Sequence, residues 1–331
     1  VSEIFLKASR PGAHIAVKPV VSAKSFSFGV RAFMTTQAKI KALSDKAFAA
    51  GITQLIYHGT AYQLEDHAER GYPRTDGWYP WQLGMLSMDY SENWAFWPHA
   101  LTLNRYIARN QYLLRKGDPE TDVLVFYPGM GFPQGYSNPE EPFDQGRFPG
   151  EKLATAETDV TAGRGVEWMR GAWRMTRELE QQGLHWAWVN EHTLRTTTLH
   201  SGVLHAGALR ARALLLYNID AMSPDVAEHV ARLTAAGMPL KIIGQPPQRQ
   251  RGMDGENTGD NRTRAAFKQL KSATTLPGGP VQFNNTSIKS IRRRLQDDGL
   301  LQFFSNPSDR SITVRLTVSD AWRSAAWLDA W

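Results

Sequence analysis

At 331 residues, with 42% hydrophobic and 21% charged side chains, the chain has the composition of an ordinary globular protein, which excludes collagen, coiled coil and wholesale disorder. The 38 Lys and Arg exceed the 32 Asp and Glu by six, a surplus too small to point to nucleic acid, and zero Cys removes thiol nucleophiles, disulfides and cysteine zinc sites. A single core stops growing at roughly 250–300 residues, so more than one domain is expected, and no run approaches the roughly 18 apolar residues of a membrane span.

In chain order, Ile15 to Ser22 is apolar and β-branched and reads as a strand. Gln37 to Ala50 follows as a helix with Ile40, Leu43, Ala47 and Phe48 at helical spacing, stopped by Gly51. Ile52 to Tyr57 is strand-like again, which makes a βαβ unit and predicts a parallel pair. From His58 to Ala100 the periodicity vanishes and Trp78, Trp81, Trp94 and Trp97 cluster with Tyr72, Tyr79, Tyr90 and Phe96, a long aromatic loop of the kind that tends to be functional. A helix is expected from Trp97 to Lys116, closed by Gly117 and Pro119.

Thr121 to Tyr127 opens a second α/β series. Helices are expected at Val166 to Gln182 and Pro224 to Ala236, and strands at Trp186 to Val189, Ala211 to Leu216 and Leu240 to Ile243. Further on, Arg262 to Leu270 and Ser287 to Leu295 read as helices around a short Val281 to Phe283 strand. The alternation predicts a doubly wound, flavodoxin-like sheet. After Gly299 three short strands, Leu301 to Phe304, Ile312 to Val318 and Ala325 to Leu328, suggest a β-meander. The division expected is 1–117, 118–299 and 300–331. Two strands at the start and three at the end each fall short of a stable sheet, so both ends are expected to have been cut from larger units.

The familiar motifs are absent. Gly129, Gly131 and Gly135 follow a strand but no helix starts there, so the dinucleotide reading fails, and no phosphate-loop, serine-hydrolase-elbow or zincin pattern occurs. Arg292, Arg293 and Arg294, beside Ile288, Ile291 and Leu295, are expected to be a solvated helix face rather than a nucleic-acid footprint. The aromatic loop carries the functional reading. Sugar rings stack their C–H faces on Trp and Tyr while their hydroxyls need polar partners, and His58, Tyr62, Gln63, Trp78, Tyr79, Trp81 and Trp94, with Asp66, supply that mixture. The alternative is that these rings anchor a long loop to its scaffold and that His58 is a structural histidine at a strand end.

The order PVVSAKSFSF (Pro19 to Phe28), KIKALSDKAFAAGITQLIYHGTAYQ (Lys39 to Gln63), the aromatic loop and NRYIARNQYLLRKGDPETDVLVFYP (Asn104 to Pro128) resembles glycoside hydrolase family 106, the α-L-rhamnosidases. The resemblance implies that the first two strands are the last two of a catalytic (β/α)8 barrel, followed by a flavodoxin-like accessory domain and the start of a β-sandwich. It also implies a departure. Where the family carries a catalytic Glu in an A-E-S-F segment, this chain has Lys24. An inverting glycosidase needs a carboxylate base opposite a carboxylic acid. The second carboxylate would lie on an earlier barrel strand, so the chain as given is expected to lack both catalytic groups.

The expectation is therefore a fragment of a glycoside hydrolase acting on α-L-rhamnosides, inactive alone; the alternative is a noncatalytic carbohydrate-binding or assembly module. Carbohydrate is the expected partner, with no nucleic acid, no membrane and a homo-oligomer formed through the truncated barrel edge. No cofactor is evident; the resemblance admits calcium in the parent enzyme, although this chain has no contiguous loop of oxygen ligands. It also implies a periplasmic or extracellular parent, while the sequence itself leaves the compartment undetermined.

Overall fold

The computed structural model describes residues 3–27, 35–58, 62–63, 78–79, 90, 94–129, 160–251, 258–283, 287–297, 299–318 and 324–330. The chain starts with a helix, α1 (Glu3–Ile15), where the sequence signals no element. The expected strand Ile15 to Ser22 is thereby corrected: Ile15 ends α1, and Ala16 and Lys18 still donate backbone bonds to Gly12 and Ala13. Val17 then turns the chain with φ 55°. Pro19 cannot donate to a ladder, so the strand begins only beyond it, at β1 (Ser22–Ser25).

Helix α2 (Gln37–Ala50) begins where Thr36 Oγ1 accepts from Lys39 N–H, and it ends at Gly51 in the left-handed region, whose N–H meets Ala47 and Phe48 carbonyls. Strand β2 (Gln54–Tyr57) lies parallel to β1, Ser22 opposite Gln54 and Ser25 opposite Tyr57. Strands β3 (Tyr62–Gln63) and β4 (Trp78–Tyr79) pair antiparallel, and a 3-10 turn (Trp97–His99) leads into α3 (Ala100–Leu114). Phe48, Ile40, Ile52, Leu55, Leu103 and Ile107 form the core between these helices and strands.

A second core is built on β6 (Val123–Phe126), which follows β5 (Asp118–Glu120). After α4 (Val160–Gln181) come β7 (Trp186–Val189), α5 (Glu191–Thr196), β8 (Thr198–His200), β9 (Val203–Ala206), β10 (Leu209–Ala211) and β11 (Ala213–Tyr217). Helix α6 (Pro224–Ala235), β12 (Leu240–Ile243) and α7 (Thr258–Phe267) complete this series. Strands β7, β6, β11 and β12 form a four-stranded sheet, wholly parallel, in that spatial order. Strands β6 and β7 are buried at every residue, as parallel strands covered on both faces must be.

The remaining strands are β13 (Val281–Phe283), β14 (Lys289–Arg294), β15 (Leu300–Ser305) and β16 (Leu316–Val318). The helix expected over Ser287 to Leu295 is thus a strand, placed between β15 and β5 in a six-stranded sheet of order β15-β14-β5-β10-β9-β8. The solvated arginine face is corrected with it. Arg292 is fully buried, its guanidinium 2.5 Å from Asp122 and 3.8 Å from Glu120. Arg293 points to the opposite face and donates to the carbonyls of Lys116 (2.7 Å) and Gly117 (2.6 Å) just past α3. The expected β-meander dissolves for the same reason: β15 finds β14, β16 finds β13, and Ala325 to Leu328 has no strand partner among the described residues. Among the described residues no helix is long and apolar enough to cross a membrane.

Candidate carbohydrate site at the ends of β1 and β2

Both helices pack on one face of the β1–β2 pair. Leu55 is buried on that face, its N–H bonded to Gln111 of α3 at 2.7 Å, and Tyr57 Oη donates to Asn104 of α3 at 2.8 Å. Side chains alternate along a strand, so Ser22, Lys24, Gln54 and Ile56 stand on the other face. That face is open: Ser22 and Lys24 are exposed and Ile56 is 49% exposed. The Ser22 hydroxyl donates to Gln54 Oε1 at 2.6 Å across the pair.

At the C-terminal ends of the strands the aromatic residues converge. Phe26, held at φ 66°, is buried with its ring 4.9 Å from Tyr57, and its carbonyl accepts from Tyr90 Oη at 2.8 Å. A positive φ on a bulky residue stores strain, and such strain gathers at ligand sites. Tyr57 and Tyr90 meet edge to face at 4.8 Å. Burial pushes the Tyr57 phenol up to about 12, and the Tyr90 phenol is raised by burial and then by Tyr57. Trp94 is buried against Tyr90 and Phe96, its indole N–H donating to Thr35 O at 3.2 Å.

The residues expected from the sequence to touch sugar are therefore placed as follows. His58 is buried at the end of β2 and its backbone N–H extends the pairing to Ser25 O at 2.9 Å. Tyr62 opposes Tyr79, and Gln63 opposes Trp78, so four expected residues, two near the start of the aromatic loop and two near its middle, share one ribbon. Trp94 belongs to the aromatic floor. Trp81 and Asp66 lie outside the described residues. Phe26 and Tyr57 were not singled out by sequence; the signal was their position one residue beyond and at the end of adjacent parallel strands, where α/β folds place ligands.

Ser25, Phe26, Ser27, Tyr57 and His58 include no carboxylate, and Lys24 is the charged side chain on the open face. No group of three or more His, Asp or Glu side chains that could hold a metal occurs among the described residues.

Comparison with known proteins bears on this unit directly. Residues 3–133 match the alpha-L-rhamnosidase family model, glycoside hydrolase family 106. A protein from Formosa agariphila named "Putative beta-glucuronidase" is 22% identical over 326 residues, 93% of this chain and 24% of its own length. A solved rhamnosidase from Novosphingobium sp. PP1Y superposes with a TM-score of 0.61 at 16% identity, over 90% of this chain and 26% of that one. The chain thus spans about a quarter of the length of the relatives it matches. Its fold is shared with that rhamnosidase, and the resemblance to the α-L-rhamnosidases of glycoside hydrolase family 106 holds over residues 3–133.

Proposed function

We propose that this chain is part of an α-L-rhamnosidase-like glycoside hydrolase in which β1, α2, β2 and α3 are the last two strand–helix units of a (β/α)8 barrel. The family match over residues 3–133 carries the reading. A parallel pair with helices on one face and an open second face supports it, because that second face is the one a barrel turns inward. The sheet of β7, β6, β11 and β12 then serves as a flavodoxin-like accessory domain, consistent with its spatial order of second, first, third and fourth strand.

In this reading the ribbon of Tyr62, Gln63, Trp78 and Tyr79, with His58 and Trp81, meets the sugar, and Trp94 holds the floor beneath it. Lys24 cannot activate water as a carboxylate base does, so the 331-residue chain alone does not hydrolyse rhamnosides. An aryl α-L-rhamnoside incubated with the purified chain should release no more chromophore than buffer does; turnover that disappears on substituting a residue of this chain overturns the inactivity. Rhamnose binding followed by tryptophan fluorescence should weaken in Trp78→Ala, and unchanged affinity removes the ribbon from the site.

A further inference from the structure

The six-stranded sheet has one face that the rhamnosidase reading leaves unused. Leu204, Ala206, Leu209 and Ala211 turn into the second core, so the alternate residues on β8, β9 and β10 turn outward. Register places them side by side: Thr198 opposite His205, His205 opposite Arg210, and Arg210 opposite Glu120. His200, His205, Arg210 and Glu120, together with Arg294 of β14 and Arg212 just after β10, line a groove of about 380 Å³. That is within the range of small-ligand sites and ample for one sugar ring.

Three arginines, one of them the buried Arg292 behind the groove wall, surround the groove's single carboxylate. Glu120 is buried and already engaged: Arg294 stands 2.8 Å from it, Arg292 3.8 Å and Arg212 3.9 Å. Arg212 is steadied further by the Gly278 carbonyl at 3.0 Å. Arg210 is exposed and makes no ion pair among the described residues, so its fork of donors faces the groove uncommitted. The two histidines are fixed as well. Ser201 and Gly202 join β8 to β9 with φ of 49° and 76°, the two positive values a two-residue hairpin needs, which sets the His200 and His205 rings 5.5 Å apart. Partial burial, then Arg210, then His200 hold the His205 pKa below its usual value, as a locally positive field does.

We propose that this groove binds an oxyanion carried on a sugar ring, a carboxylate or a sulfate ester, with Arg210 as the principal donor and Arg212, His200 and His205 around it. A guanidinium fork matches the paired oxygens of either group, and a rigid hairpin lowers the ordering cost of binding. The oxyanion part stands on the groove alone; the sugar part rests on the glycoside hydrolase reading.

Titration calorimetry of the 331-residue chain at constant ionic strength tests it, with glucuronate, galactose 6-sulfate, inorganic sulfate and neutral rhamnose as probes. Glucuronate or galactose 6-sulfate should bind more tightly than inorganic sulfate. Arg210→Ala should weaken that binding by about tenfold or more, the loss of one charge-assisted contact. Arg210 is exposed, so the thermal midpoint of the variant should match the parent, and His200→Ala offers a second variant on the opposite side of the groove. Sugar-anion affinity untouched by both substitutions overturns the proposal, as does inorganic sulfate binding as tightly as either sugar, which marks an adventitious ion only. Rhamnose affinity lost in Trp78→Ala and anion affinity lost in Arg210→Ala report the two sites separately, so either can fail without the other.

Discussion

Arg10, His14, Arg292 and Arg293 bring three guanidiniums and an imidazole into one dry region, each no more than 3% exposed. Asp122 and Glu120 compensate Arg292, and breaking such a buried pair by removing one partner costs about 3–5 kcal/mol. His14 has no such partner: neither ring nitrogen finds a hydrogen bond among the described residues. Burial, then Arg10, then Arg293 push its pKa down to about 2. The native imidazole is therefore neutral while the unfolded one takes a proton below about 6.5. Its contribution is present above that value and is lost as the pH falls toward 2. Burial and Arg292 hold His185 in the same direction against Asp122. Glu180 acts in a lower window. Burial raises it, but Lys7 and Lys289 together bring it down to about 2, so its contribution stands above about 4.5 and disappears as the pH drops through 2. Urea midpoints should accordingly fall between about pH 7 and about pH 5, by at most about 1.4 kcal/mol per pH unit for each proton taken up. His14→Leu should flatten this slope, and an unchanged slope would show that His14 is not its source.

Among the elements, α2 was fully legible because its signals are local: apolar positions on one face and Gly51 at the stop. Gly51 has φ 100°, and a Cβ there would overlap the Arg10 side chain, so Gly51→Ala should cost about 1–2 kcal/mol in chemical denaturation from the backbone alone. A neutral result would mean that the left-handed cap is dispensable. The four parallel strands of the second core were legible too, three as continuous apolar runs and β12 despite Lys241. Strand β14 was not. Ile288, Ile291 and Leu295 fit a helical period, while the groups that make it a strand are distant in sequence: Asp122 is 170 residues from Arg292, and Lys116 is 177 from Arg293. An arginine reads as solvent-facing unless its buried acceptors are known. Helix α1 stayed hidden behind Pro11 and the β-branched run after it; of the candidate site, the sequence offers residue types but not the packing of Phe26 on Tyr57, which only strand pairing brings together. Arg293→Ala tests the closure of α3: losing two charge-assisted bonds to the carbonyls of Lys116 and Gly117 should cost about 2–3 kcal/mol, read as a lower urea midpoint.

At the scale of the whole molecule, the β1–β2 pair poses a packing problem that the rest of the chain solves only halfway. Parallel strands belong to sheets covered on both faces, and a two-stranded sheet has two outer edges able to pair with another chain. Helices α2 and α3 bury Ile52 and Leu55 to 1% and 8% exposure. The bare positions are Ile56, Val20 and Val17, at 49%, 38% and 69%. Ile56 lies on the open face in register with Lys24, so apolar contact and a free edge coincide. A second copy offers the same surface, and two-fold pairing covers both at once. The isolated 331-residue chain should therefore self-associate at micromolar concentration in multi-angle light scattering. Ile56→Glu should shift it to monomer, because a carboxylate on that face cannot be buried without a partner, while the thermal midpoint stays within a degree or two of the parent for so exposed a residue. A monomeric parent chain would overturn the expected self-association; an oligomer insensitive to Ile56→Glu would move the interface away from β1 and β2.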